Sequence, residues 1–152
     1  MNNISFSRKL AVKYPWLRAV GDRSWMTNLL YKFIPSLCTY TYVHCRPGWY
    51  VLIEALCAEL DKVVRGTDGW ERSAVVSGIE ERLGMLSFFI FGVDDTKAAY
   101  TLIEQYKAAS AEICSFCGSP GSFVEFGYYR CVVCPVHRQV IMHDPDLRRI
   151  PL

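Results

Sequence analysis

Near the end of the chain, Cys114-Ser-Phe-Cys117-Gly118 is followed by Cys131-Val-Val-Cys134-Pro-Val-His137, with thirteen residues between Cys117 and Cys131. Two short pairs of soft or borderline donors, with room for a small β-hairpin between them, suit a tetrahedral Zn²⁺ better than any other common ion and predict a zinc ribbon. A closed structural site takes four ligands, and this pattern offers five. Cys131 and Cys134 would complete an all-cysteine site; Cys134 and His137 would complete a site of three cysteines and one histidine. Both spacings are chemically allowed. Gly118 fits the knuckle in which backbone N–H groups turn toward the thiolates and the chain reverses. The opposing reading is a group of buried cysteines that bind nothing.

The same residues constrain the chemistry. A catalytic zinc keeps a position open for water and usually sits beside a general base. Here four ligands are available and no His-x-Glu or HExxH pattern accompanies them, so the zinc is expected to be structural and the chain not an enzyme. Cys45 with His44 or His143 would be the only nucleophile pairing, and neighbours on a strand point to opposite faces. Glu80-Glu81 reads as a solvated pair at a turn. No Walker or Rossmann glycine pattern occurs, and no small-molecule substrate is indicated.

Seven cysteines, an odd number with four or five at metal spacing, point to a reducing compartment and not to a disulfide framework. The N-terminus lacks an apolar run of signal-peptide length, and the longest apolar run, Met85 to Val93, is too short to span a bilayer. A cytoplasmic, soluble protein with no membrane partner is expected. The net charge of +2 argues against a protein held to nucleic acid by bulk charge. A local set remains for nucleic acid: Tyr128 and Tyr129 beside Arg130, with Arg138, Arg148 and Arg149.

Along the chain, Ser5 or Ser7 is expected to cap a short helix through Leu10 and Val12 that ends before Pro15. Trp25, Leu29, Leu30 and Phe33 recur at helical spacing, and Leu37 to His44 reads as a strand. Tyr40 and Tyr42 share one side of that strand and mark it as an edge or partner-facing element. After Pro47-Gly48, the residues Trp49, Leu52, Ile53, Leu56, Cys57, Leu60, Val63 and Val64 form the stripe of an amphipathic helix that stops at Gly66. Ser73 to Ile79 is expected to be a strand pairing with Met85–Phe91 through a connection at Glu80–Gly84. Leu86, Phe88 and Ile90 then share one face, and Ser87, Phe89 and Phe91 the other. Two arrangements are compatible with this. In one, the sheet is covered on one side and Phe89 and Phe91 form an apolar interface; in the other, a helix and the N-terminal segment cover opposite faces. Asp94-Asp95-Thr96 caps a second amphipathic helix that carries Ala99, Leu102, Ile103, Tyr106, Ala109 and Ile113 and runs into Cys114. Phe123 to Tyr129 reads as the hairpin that spaces the ligands. The residues after His137 are expected to be an extended tail. The chain is thus divided into a variable N-terminal segment (1–45), an α+β core (46–113), a zinc ribbon (114–137) and a tail (138–152). Its fold class is α+β, with two amphipathic helices packed on a small antiparallel sheet.

Gly48-Trp49-Tyr50 opening a helix, then Glu81-Arg82-Leu83-Gly84-Met85-Leu86-Ser87-Phe88-Phe89, a second helix, Cys114-x-x-Cys117-Gly118-x-Pro120-Gly121 and Cys134-x-x-His137 resemble a family. It comprises small, largely uncharacterised proteins of bacteria, phages and prophages with a GWY helix, a KEKFGxLRFY-like strand and a CxxCGxPG…CxxH ribbon. The resemblance spans roughly residues 45 to 137. It implies that Cys134 and His137 are the second ligand pair and that Cys131 is a departure near the site. Ser87 stands where the family usually has a basic residue. The resemblance delivers no biochemical activity. Where such relatives occur, together with the aromatic-rich composition, the lack of a catalytic constellation and a divergent N-terminus, leads to the expectation of an accessory protein of a phage or mobile element that binds and modulates a host protein, such as a defence-system component. Tyr40, Tyr42, Phe89 and Phe91 are the candidate partner-binding residues. The alternative is a zinc-ribbon regulator that binds nucleic acid.

Overall fold

A computed structural model describes residues 2–18, Met26 and residues 40–143. The expected helix around Trp25 to Phe33, residues 37–39 of the expected strand, and Arg148 and Arg149 lie outside the described residues. In chain order the helices are α1 (Asn3–Lys13), α2 (Tyr50–Arg65), the single turn α3 (Trp70–Ser73), α4 (Thr96–Ser110) and α5 (Pro135–His143). The strands are β1 (Val43–His44), β2 (Val75–Arg82), β3 (Met85–Phe91), β4 (Ser122–Phe126) and β5 (Tyr129–Val133). Among the described residues, no helix is long and apolar enough to cross a membrane.

The architecture is α+β, with a three-stranded sheet in the order β1-β2-β3 and a separate two-stranded sheet of β4 and β5. The expected antiparallel core sheet is mixed, because β1 runs parallel to β2 while β2 and β3 are antiparallel. The reason is connectivity. β1 leads into the turn at Pro47–Trp49 and then α2, and a strand joined to its neighbour through a helix returns parallel to it. The β2–β3 turn is also tighter than expected. Glu80 to Arg82 belong to β2, leaving Leu83 (φ 51°) and Gly84 (φ 79°) as a two-residue reversal with both residues left-handed, which matches the twist of a hairpin.

One face of the three-stranded sheet forms the core. Val43, Val76, Ile79, Leu86, Phe88 and Ile90 are buried there, with Ile53, Leu56, Leu60 and Val64 of α2 and Ala99 and Ile103 of α4 in the same cluster. The N-terminal residues enter this core as well. Phe6 of α1 stacks on Tyr50 at 3.9 Å, and Trp16 lies 6.3 Å from Phe88 and donates its indole N–H to Asp61 at 2.9 Å. The N-terminal segment therefore packs on the same side as the helices, and the opposite face of the sheet is left with Phe91 at 54% exposure. The cap of α1 is Asn2, whose side chain accepts from the Ser5 backbone N–H, and not Ser5 or Ser7. Ser7 is buried and accepts from the Val43 N–H, so it ties α1 to β1.

Two further differences concern helix ends. Asp95 caps α4 as expected, but the helix stops at Ser110, and Ile113 instead bridges to Pro120 ahead of Cys114. Residues 138–143, read from sequence as the start of a tail, are helical as part of α5. Pro135 opens that helix, a position where its missing N–H and fixed φ carry no penalty.

Candidate metal centre

Cys114 and Cys117 sit on the loop that follows α4, where backbone bonds fold a knuckle. The Cys114 N–H donates to Ser119 at 2.8 Å, and the Gly118 N–H donates back to Cys114 at 2.9 Å. Cys134 lies between β5 and α5, and His137 lies in the first turn of α5. These four side chains converge, with every donor atom within 4.8 Å of the others. Cys117 Sγ and Cys134 Sγ are 3.8 Å apart, and His137 Nδ1 is 3.7 Å from Cys114 Sγ and 3.2 Å from Cys134 Sγ. Thiolates bound about 2.3 Å from a tetrahedral ion stand about 3.8 Å apart, and a thiolate and an imidazole nitrogen about 3.5 Å apart. The donor set and its dimensions therefore fit a metal ion. Cys131, the fifth sequence candidate, lies outside the cluster; it is fully buried in β5, paired with Val124 across the hairpin. Burial pushes its thiol up to about 11. Cys117 is exposed, and a hydrogen bond from the Ser119 side chain leads the effects that lower its thiol to about 6.

The Gly48-Trp49-Tyr50 motif is the seat of this knuckle. A Cβ on Gly48 would lie 2.2 Å from the Cys114 carbonyl oxygen, so only glycine allows the backbones to meet, and the Gly48 N–H donates to Ser115 at 2.8 Å. Trp49 is buried and donates its indole N–H to the Ile113 carbonyl at 2.8 Å. Tyr50 faces the other way, with its hydroxyl bonded to Asn3 at the start of α1.

Beside the cysteines lies a second buried cluster that the sequence did not announce. Arg46 pairs with Glu81 at 2.6 Å and donates to the Tyr129 hydroxyl, and its guanidinium lies over the rings of Phe116 and Tyr129. Glu81, expected at a solvated turn, is almost fully buried. Burial raises its pKa, with Arg46 opposing that shift, and burial pushes the Tyr129 hydroxyl up to about 12. Arg46 Nε, Glu81 Oε1 and Ser115 Oγ have no hydrogen-bond partner among the described residues. Cys45 is buried while His44 is exposed, and burial raises the Cys45 thiol, so the two form no nucleophile pair.

Of the four candidate partner residues, Tyr42, Phe89 and Phe91 lie on the outer face of the three-stranded sheet, whereas Tyr40, ahead of β1, is half-buried and packs against the core. Val43 faces the core opposite Ile79, which turns Tyr42 and His44 outward, and Tyr40 stacks on Tyr42 at 6.3 Å. On β3, Phe89 lies opposite Gly78, and Phe91 opposite the exposed Val75. Phe89 is half-buried, with Arg82 5.5 Å above its ring. Of the residues read for nucleic acid, Arg130 is paired with Glu125 at 2.9 Å and Tyr129 is held by Arg46, whereas Tyr128 is fully exposed at the hairpin tip.

Comparison with protein-family models, curated proteins and solved structures finds no match to this chain.

Proposed function

We propose that the chain is a non-enzymatic binding protein whose C-terminal part is a zinc ribbon and whose sheet receives another protein. Zn²⁺ is the ion that three thiolates and one imidazole in a closed tetrahedral set select, and four protein ligands leave no position for a reactive water. The ion serves as a clamp between the end of α4, β5 and α5. Keeping the thiolates reduced suits the cytoplasm.

The observation that carries the binding reading is the outer face that Tyr42 shares with Phe89 and Phe91, residues from two distant stretches of sequence, with Tyr40 stacked on Tyr42 beside it. Aromatic side chains offer large contact area at low entropic cost, which is why they are enriched at protein interfaces. Following the family resemblance, the partner is a host protein engaged by a phage or mobile-element product, with a defence-system component fitting that setting. The test is a pull-down from bacterial lysate with the wild-type chain and a Tyr42→Ser/Phe91→Ser variant of equal thermal stability. A stoichiometric protein held by the first and lost by the second supports the reading; recovery of nucleic acid alone sinks it.

The rival reading, a regulator that binds nucleic acid, is favoured by the exposed Tyr128 at the hairpin tip. It requires affinity that drops steeply with added salt. Zinc content is tested separately. One ion per chain, kept by Cys131→Ser and lost by His137→Ala, is expected from elemental analysis.

A further inference from the structure

The Arg46 cluster reaches the metal ligands through one ring. Phe116, between the two cysteines of the knuckle, stacks on the imidazole of His137 with centroids 5.2 Å apart and planes 16° apart. The Arg46 guanidinium lies 4.7 Å from the centre of that same phenyl ring. Arg46 is itself fixed by Glu81 on β2 and by the Tyr129 hydroxyl on β5. A histidine ring turns about its last side-chain bond in broad, roughly twofold wells, so whatever packs on the ring decides which nitrogen faces an ion. Here Nδ1 faces the sulfurs of Cys114 and Cys134.

We propose that Arg46 is a positioning residue for the metal site: by holding Phe116 against His137 it presents Nδ1 to the ion. The inference rests on the metal reading above. It gives the buried charge pair a task that stability alone does not explain, since such pairs are often replaceable by apolar residues without loss. Groups that orient a metal-bound histidine commonly tune affinity by about 10- to 100-fold.

Arg46→Met alone would strand Glu81, so the test uses Arg46→Met/Glu81→Leu, which removes both buried charges. Phe116→Leu serves as a second variant that leaves the Arg46–Glu81 pair intact. Each folded protein is titrated with Co²⁺ against a competing chelator, and its visible absorption reports the ligand set. Affinity is expected to fall about tenfold or more in both variants, with shifted d–d bands. The same changes are then made in a His137→Cys background, where no ring needs orienting and the loss should disappear. An equal loss in both backgrounds, or none in the histidine background, overturns the proposal. Wild-type protein that takes up no Co²⁺ rejects the metal reading itself, and the proposal with it.

Discussion

The Cys/His cluster and the Arg46–Glu81–Tyr129 cluster lie on the two sides of the knuckle and handle buried polarity in opposite ways. The first gathers three thiols and an imidazole with no positive side chain among them. Once ionised, thiolates this close repel one another, so the group is complete only with a cation. The second supplies its own cation, and still leaves Arg46 Nε and Glu81 Oε1 without hydrogen-bond partners among the described residues. A soft-donor site can therefore contribute folding energy through its ion, whereas a buried charge pair roughly offsets its own desolvation and holds geometry in place.

The largest test of this contrast is removal of the proposed zinc ion. Apparent binding energies of structural zinc are about 10 to 16 kcal/mol near neutral pH, so chelation is expected to unfold residues 112–137 locally. Hydrogen exchange should show loss of protection at the Ser115, Gly118 and Gly121 amides, which bond within this unit. Trp49 fluorescence should change with them, since its indole is bonded to Ile113. Lowering the pH should act in the same direction, because each ligand must lose its proton to bind; unchanged protection after chelation would break the comparison.

The second cluster should respond differently. Arg46→Met leaves Glu81 buried and unpaired and is expected to cost about 3 to 5 kcal/mol in urea unfolding, most of it restored by adding Glu81→Leu. A double variant as unstable as the single one would show that the pair does more than hold geometry. Gly48→Ala sharpens the boundary between the regions, because its methyl meets the Cys114 carbonyl at 2.2 Å. A loss of about 1 to 3 kcal/mol is expected, with weakened metal uptake. The smallest effect belongs to the outer sheet face, where Phe91→Ser should change stability by no more than about 0.5 kcal/mol. A larger loss would mean that Phe91 packs within the fold and is not reserved for a partner.

The parts legible in the sequence share a physical feature: their partners are close along the chain. The stripe from Trp49 to Val64 forms α2, MLSFFIF forms β3 with Leu86, Phe88 and Ile90 inward, and the knuckle residues meet at short spacing. Helical and strand periods are set by backbone geometry, so a single window of residues reveals them. The helical fate of residues 138–143 was missed because nine residues give a weak periodic signal. Asn2 was missed as a cap because a cap lies one residue outside the pattern it serves.

By itself, the sequence determined that soft donors would meet near residue 114 and that two amphipathic helices would cover a sheet. Both follow from local spacing and the burial of apolar surface. Only the tertiary structure decided that His137 and not Cys131 joins the cluster: Cys131 is buried in the same apolar cluster as Cys114 and Cys134, yet the first turn of α5 brings His137 among the donors and Cys131 is not one of them. It alone also joined Arg46 to Glu81 and Tyr129, and brought Tyr42 onto one face with Phe89 and Phe91. Contacts between residues far apart in the chain depend on strand order and direction, and no local pattern encodes either one.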